Sequence, residues 1–287
     1  MERIRLRHIG YVIIVLKIIL ISFLLYQLFP KLQADEIHLN TRFIWFVIAG
    51  FIAQLIDGAL GMAYGVSCST LLLNVGVSPK LASASVHTAE VFTTGVSGLS
   101  HIKMRNIDKK LFFRIVIPGV ISAMIGAYLI SDVFDGKMIK PYIACYLLIL
   151  GMVIIYKGFK NKKKEFVEVK RAGLLAFAGG MLDAIGGGGW GPIVTSNIIN
   201  QGKNPAETIG TVNTAEFFIT FFSTGVFLFF VGIDHWDILL GLILGGVVAA
   251  PLGAYLSKKV NKRAMMFIVG ITVIITSLFT IYKAVYQ

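Results

Sequence analysis

The chain matches itself. Residues 57–94 align without a gap onto residues 183–220, each position displaced by 126. The offset pairs Asp57 with Asp183, Gly61 with Gly187, Gly65 with Gly191, Asn74 with Asn200 and Pro79 with Pro205. It closes by pairing Thr88-Ala89-Glu90 with Thr214-Ala215-Glu216. Two related halves around a polar motif constrain the chain to two copies of one unit. In membranes this is the usual build of proteins that enclose a site near the bilayer midplane.

The halves are membrane material. Of 287 residues, 56% are hydrophobic and only 15% are charged, the composition of lipid-embedded helices and not of a water-soluble core. Stretches 9–29, 111–130, 139–158, 237–256 and 264–283 each reach the ~20 residues a helix needs to cross ~30 Å of hydrocarbon. The first follows Arg3, Arg5 and Arg7 but is too long for the ~7–15-residue apolar core of a secretory signal. It reads as a retained anchor, with Lys17 unexplained at its middle.

Charge placement sets the topology, because Lys and Arg gather in cytoplasmic loops. Basic clusters fall at 3–7, 103–110, 157–171 and 258–263, whereas the connections at 131–138 and 232–237 carry Asp132, Asp135, Asp234 and Asp237. With the basic clusters inside, residues 43–100 must cross an odd number of times, although they hold two apolar segments. The conflict disappears if 43–74 enters, breaks across Asp57–Gly65 and returns to its own side. A single helix over 43–74 would run roughly 48 Å, too long for the bilayer. Residues 171–200 repeat the design, with their break across Asp183–Gly191.

The expected fold is therefore an all-α polytopic membrane protein with an N-terminal anchor (1–36) and two inverted repeats. The first repeat (37–158) holds a re-entrant broken-helix hairpin at 43–74, then transmembrane helices near 79–101, 111–130 and 139–158. A basic cytoplasmic linker (159–170) leads to the second repeat (171–287), with a hairpin at 171–200 and helices near 205–231, 237–256 and 264–283. The N-terminus is then cytoplasmic and the C-terminus external.

On this map the acidic residues assigned to the membrane are Asp57, Glu90, Asp183 and Glu216, two repeat-matched pairs. Ser78-Pro79 and Asn204-Pro205 each read as an N-cap followed by proline at the first helical position. Each glutamate lies 11 residues beyond its proline, roughly 16 Å along the helix and so near the midplane. Ser83, His87 and Thr94 share the face of Glu90, and Asn213 and Thr220 share that of Glu216. Buried carboxylates at that depth are functional candidates by default. Two readings of Glu90 and Glu216 stay open: braces for the backbone freed at the facing break, or groups that handle a proton or substrate. Asp57 and Asp183 read as caps of the breaks, with cation coordination as the sharper alternative. The return segments start at Gly65 and Gly191, where free N–H groups and the helix dipole suit an anion.

Cys68 and Cys145 lie in no Cys/His cluster. With no metal-ligand spacing, Ser/His/Asp set or soluble catalytic domain, neither cofactor, metal nor enzymatic activity is expected.

The chain resembles the sulfite exporter TauE/SafE family over most of 43–283. The resemblance rests on Asp57-Gly58 through Gly65, Ser78-Pro79, His87-Thr88-Ala89-Glu90, Gly186-Gly187-Gly188-Gly189-Trp190-Gly191, Asn204-Pro205 and Asn213-Thr214-Ala215-Glu216. It implies a carrier in a bacterial inner membrane that exports a small organosulfur or sulfur-oxide anion, such as sulfite or sulfoacetate. The chain departs from the family in its additional helix 9–29 and in a first break poorer in glycine than the second.

The expected anion site lies between the hairpin tips, formed by Gly65, His87, Thr88, Gly188, Gly189, Trp190, Gly191, Asn213 and Thr214. No lysine or arginine is expected there, so countercharge falls to helix dipoles, to protonated His87, or to a proton carried with the anion by Glu90 or Glu216. A passive anion channel of the same architecture and a non-transporting membrane scaffold are the alternatives. The expected partners are the anion, protons and membrane lipid met by the basic loops, with no nucleic acid.

Overall fold

The computed structural model describes residues 2–33, 41–159, 169, 171–233, 235–256 and 261–286. Most of the expected basic linker, 160–168 and 170, lies outside the described residues, as do Lys258 and Lys259. Among the described residues the chain is helical, without strands. In order, the helices are α1 (Glu2–Gln33), α2 (Thr41–Leu60), α3 (Tyr64–Asn74), α4 (Pro79–Lys103), α5 (Lys109–Tyr128), α6 (Gly136–Phe159), α7 (Ala172–Gly186), α8 (Ser196–Asn200), α9 (Pro205–Phe230), α10 (Trp236–Leu256) and α11 (Lys262–Tyr286). A π-helical turn at Gly191–Thr195 leads into α8, and another at Leu129–Val133 ends α5.

Seven of these helices (α1, α2, α5, α6, α9, α10 and α11) are long and apolar enough to cross a membrane, which makes this a polytopic membrane protein. Large apolar side chains such as Trp45, Ile117 and Phe229 point outward, a surface that lipid and not water would cover. The helix α4 is as long as the seven but more polar. Its Ser83, His87, Thr88, Glu90, Thr93, Thr94, Ser97 and His101 are all buried, because α4 runs through the middle of the bundle between α9, α10 and α1.

The packing is reciprocal under the 126-residue offset, which carries α2 onto α7, α4 onto α9, α5 onto α10 and α6 onto α11. Helix α2 packs on α10 and α7 on α5; α4 packs on α10 and α9 on α5; α4 with α9, and α6 with α11, form the two self-matched pairs. Each half thus lays its first helix against the other half. Small residues allow this: a Cβ on Gly58 would stand 2.8 Å from the Gly253 backbone, and one on Gly126 2.6 Å from the Met181 carbonyl oxygen. Close backbone approach of this kind is how helices associate where lipid offers no hydrophobic driving force.

Both halves break where glycine permits left-handed backbone. After α2 the chain turns through Gly61 (φ 67°) and Ala63 (φ 110°), and after α7 through Gly187 (φ 66°). The position matched to Ala63 is Gly189, so the first break holds an alanine where glycine alone is comfortable. The arms are unequal. Helix α7 has 15 residues, but α2 has 20, roughly 30 Å, and is long enough to cross by itself. The expected break starts at Asp57, and α2 instead continues to Leu60 along α10, whose glycines admit it.

Local capping follows the sequence at one end and departs from it at another. Asn204 Oδ1 accepts the N–H groups of Ala206 and Glu207 at 3.0 and 3.4 Å to start α9. Ser78 occupies the equivalent position before α4, yet its side chain makes no capping bond. An aspartate that the sequence reading passed over does cap: Asp108 Oδ1 accepts the Leu111 N–H at 3.0 Å and its Oδ2 meets Lys203 Nζ at 2.5 Å. Lys17, unexplained in sequence, lies against Gly95 and points its ammonium at the Phe92 carbonyl, 3.4 Å away.

Candidate functional site

The two breaks touch one another, again reciprocally. A Cβ on Gly65 would collide with the Gly187–Gly188 backbone, and one on Gly191 with Met62 and the Gly61 carbonyl. Ser69 Oγ donates to the Gly187 carbonyl at 2.5 Å. Its counterpart Thr195 packs on Gly61. Each break is bridged by its own aspartate: Asp183 Oδ1 accepts the Trp190 N–H at 3.0 Å, and Asp57 accepts the matched Tyr64 N–H. An unpaired N–H at the start of each return segment is thus satisfied by a carboxyl seven residues back.

Against this junction stand the polar faces of α4 and α9. His87 Nε2 lies 3.3 Å from Asp183 Oδ2, while Nδ1 lies 2.9 Å from the Ser83 carbonyl oxygen. Ser83 Oγ donates to the Ala184 carbonyl at 2.6 Å, tying α4 to α7. The Phe227 ring covers the imidazole at 5.3 Å. Glu90 Oε1 is 3.2 Å from where a Gly65 Cβ would be, so the glutamate reaches the first break. Asp57, Glu90, Asp183 and Glu216 are close enough to interact electrostatically, and none is more than 5% exposed. Each keeps one oxygen without a hydrogen-bond partner, as does His87 Nε2.

The structure therefore brings together Gly65, His87, Gly188, Gly191, the two aspartates and the two glutamates. Gly189 and Trp190 adjoin them with other tasks: Gly189 packs on the Tyr146 hydroxyl, and Trp190 turns its indole N–H toward the Val212 carbonyl at 3.4 Å. Thr88 and Thr214 do not offer hydroxyls to the junction. They donate to Ala84 and Gly210 one turn back, each at 2.7 Å. Asn213 is turned toward α4, where its Nδ2 meets Ser97 Oγ at 3.1 Å, although its Oδ1 is left without a partner.

Several participants escaped the sequence reading. Tyr146 donates to the Gly188 carbonyl at 2.9 Å. Lys157 donates to the Pro192 carbonyl at 2.9 Å and to Ser196 Oγ at 2.6 Å. Lys283, its counterpart at the same 126-residue offset, points at the Asn74 carbonyl 3.4 Å away. Each lysine thus addresses the return segment of the opposite half. The offset pairs the two lysines, of which the sequence reading holds only Lys157, as part of a basic cluster that sets topology.

Two cavities lie away from the acids. One, of about 910 Å³, is lined by Arg7, Lys103, Arg105, Asp108, Lys110 and Glu207 among others. The second, of about 810 Å³, is lined by Arg42, Trp45, Asn74, His235, Asp237 and Lys283 among others. Both walls carry more basic than acidic side chains.

Comparison with known proteins points to a membrane transporter. The model of the family described as sulfite exporter TauE/SafE matches residues 46–280. The chain is 41% identical over 249 residues to Probable membrane transporter protein YtnM of Bacillus subtilis (strain 168), covering 84% of this chain and 83% of that protein. Two further Bacillus subtilis proteins, Probable membrane transporter proteins YunE and YjnA, are each 21% identical, covering 85% and 81% of this chain and 99% and 97% of their own lengths. No solved structure gives a significant match. The chain belongs to the sulfite exporter TauE/SafE family.

Proposed function

We propose that this membrane transporter exports a small organosulfur or sulfur-oxide anion, of the sulfite or sulfoacetate type, from the bacterial cytoplasm, coupled to protons. The observation that carries the reading is the buried set of matched acids with His87, placed where the two glycine breaks meet. Four carboxylates around one imidazole cannot all be charged in a dry interior. Protonated, a carboxyl becomes a donor that can bind an oxyanion. An anion therefore binds here only together with positive charge, which is what coupling requires. Glu90 and Glu216, on the self-matched pair α4 and α9, carry the protons. Asp57 and Asp183 hold the breaks in shape.

The reciprocal packing supports two inverted repeats, each a broken-helix hairpin followed by three crossings, the first hairpin re-entrant despite its longer arm α2, with the N-terminus cytoplasmic and the C-terminus external. Rocking of one repeat against the other opens the junction alternately to each side. The two basic-walled cavities are its vestibules. Tight backbone contact between the breaks favours a gated carrier over an open channel.

The test is anion binding to the purified protein, read as thermal stabilisation with sulfite, thiosulfate, sulfoacetate, taurine, acetate and sulfate. Selective stabilisation by a sulfur anion, lost in Glu90→Gln, is expected. Equal indifference to all six anions would overturn the reading.

A further inference from the structure

Helix α4 offers His87 and Glu90 one turn apart, and α7 offers Asp183 from the opposite half. One ligand atom from each lies within 4.8 Å of the other two. All three residues are at most 3% exposed. The hydrogen bonding around His87 decides how this trio is to be read. Its Nδ1 faces the Ser83 carbonyl at 2.9 Å, an acceptor, so Nδ1 carries the proton. On a neutral ring, Nε2 then presents a lone pair. That lone pair faces Asp183 Oδ2 at 3.3 Å, and neither atom makes a hydrogen bond. Glu90 Oε2 is likewise buried without a partner. Three buried electron-pair donors that converge without a hydrogen bond among the described residues form an arrangement that a cation resolves. An N–H fixed on a backbone carbonyl is also the support that a metal-bound imidazole usually has.

We propose that His87 Nε2, Glu90 and Asp183 bind a single divalent cation of the zinc or manganese class. One imidazole nitrogen and two carboxylates suit that class better than sodium or calcium, which take oxygen donors. Three protein ligands leave a coordination position open. The role assigned to the ion rests on the proposed anion site: it supplies fixed positive charge where the described site residues provide no lysine or arginine, and the open position receives the anion. With the ion bound, Glu90 serves as its ligand and the proton falls to Glu216, while Asp57 still holds its own break. The spacing in sequence gave no metal signal because the third ligand comes from the other repeat.

The test uses full-length, chelator-stripped protein with any affinity tag removed, titrated calorimetrically with Zn²⁺ and with Mn²⁺. One equivalent per chain is expected, with His87→Gln and Asp183→Asn each weakening binding by about 10–100-fold. Gel filtration checks that the variants stay folded. Pulsed electron paramagnetic resonance of the Mn²⁺-loaded wild type provides a readout that needs no variant, and imidazole nitrogen coupling is expected. Absence of saturable binding, binding untouched by either substitution, or no nitrogen coupling would overturn the site. Metal binding is read without any anion. A protein that binds the ion but no sulfur anion therefore keeps the site and loses the transport reading.

Discussion

At the scale of single residues, the buried acids carry the account. Glu90→Gln and Glu216→Gln keep side-chain shape while removing a titrating group from a dry site. In chelator-treated protein each substitution is expected to leave the chain folded, with thermal stability equal or higher, because an uncompensated buried charge is no longer demanded. Proton-linked anion movement should be lost. A substitution that instead unfolds the protein would mark the glutamate as a brace for the breaks. Ala63 makes a separate prediction. Its φ of 110° lies where a Cβ is crowded, and such strain costs on the order of 1–3 kcal/mol. After the flexibility penalty of glycine, Ala63→Gly should raise stability by about 1 kcal/mol in thermal unfolding.

At the scale of helices, backbone approach decides which glycines are replaceable. Gly58→Val drives a branched side chain into the Gly253 backbone and should cost at least about 1–3 kcal/mol. Gly225 in α9 has nothing within 4 Å of its Cβ position. Gly225→Ala should therefore be neutral or stabilising by up to about 1 kcal/mol. Thermal unfolding of the two variants in one detergent checks the contrast. The Asp108–Lys203 pair adds a pH dependence. Burial pushes the Asp108 carboxyl up, but the bond from Lys203 and the N–H of Leu111 outweigh it, holding the group below its ordinary range. Its stabilisation is then complete above the unfolded value of about 4 and is lost as pH falls through the lower folded value. Lys203→Met should lower stability slightly near neutral pH, and the difference from wild type should shrink under acid. Helix ends show how far the sequence could be read. Asn204-Pro205 announced the start of α9, and Asn204 does cap it, whereas Ser78-Pro79 announced α4 with the same pattern of cap residue and proline and Ser78 does not. The glycine-rich stretches marked both breaks. The 20-residue length of α2 was not legible, because it depends on α10 offering a groove of small residues from the other half.

At the scale of the whole molecule, the reciprocity of the halves explains what was legible and what was not. Acids at matched positions could be singled out from spacing alone. Their convergence with His87 could not, since His87 and Asp183 belong to different halves and meet only when α7 lays itself beside α5 and α4. The lysines Lys157 and Lys283 repeat the lesson. If the molecule works by moving one half against the other, each lysine latches a return segment of its neighbour, and Lys157→Met and Lys283→Met should both alter the rate of anion movement more than anion affinity. The most direct measurement is uptake of radiolabelled sulfite or sulfoacetate into proteoliposomes, with and without an imposed pH gradient, for wild type and Glu90→Gln. The account predicts saturable, gradient-dependent uptake by wild type and none by the variant. Uptake that ignores the gradient, or that proceeds equally in the variant, would contradict it.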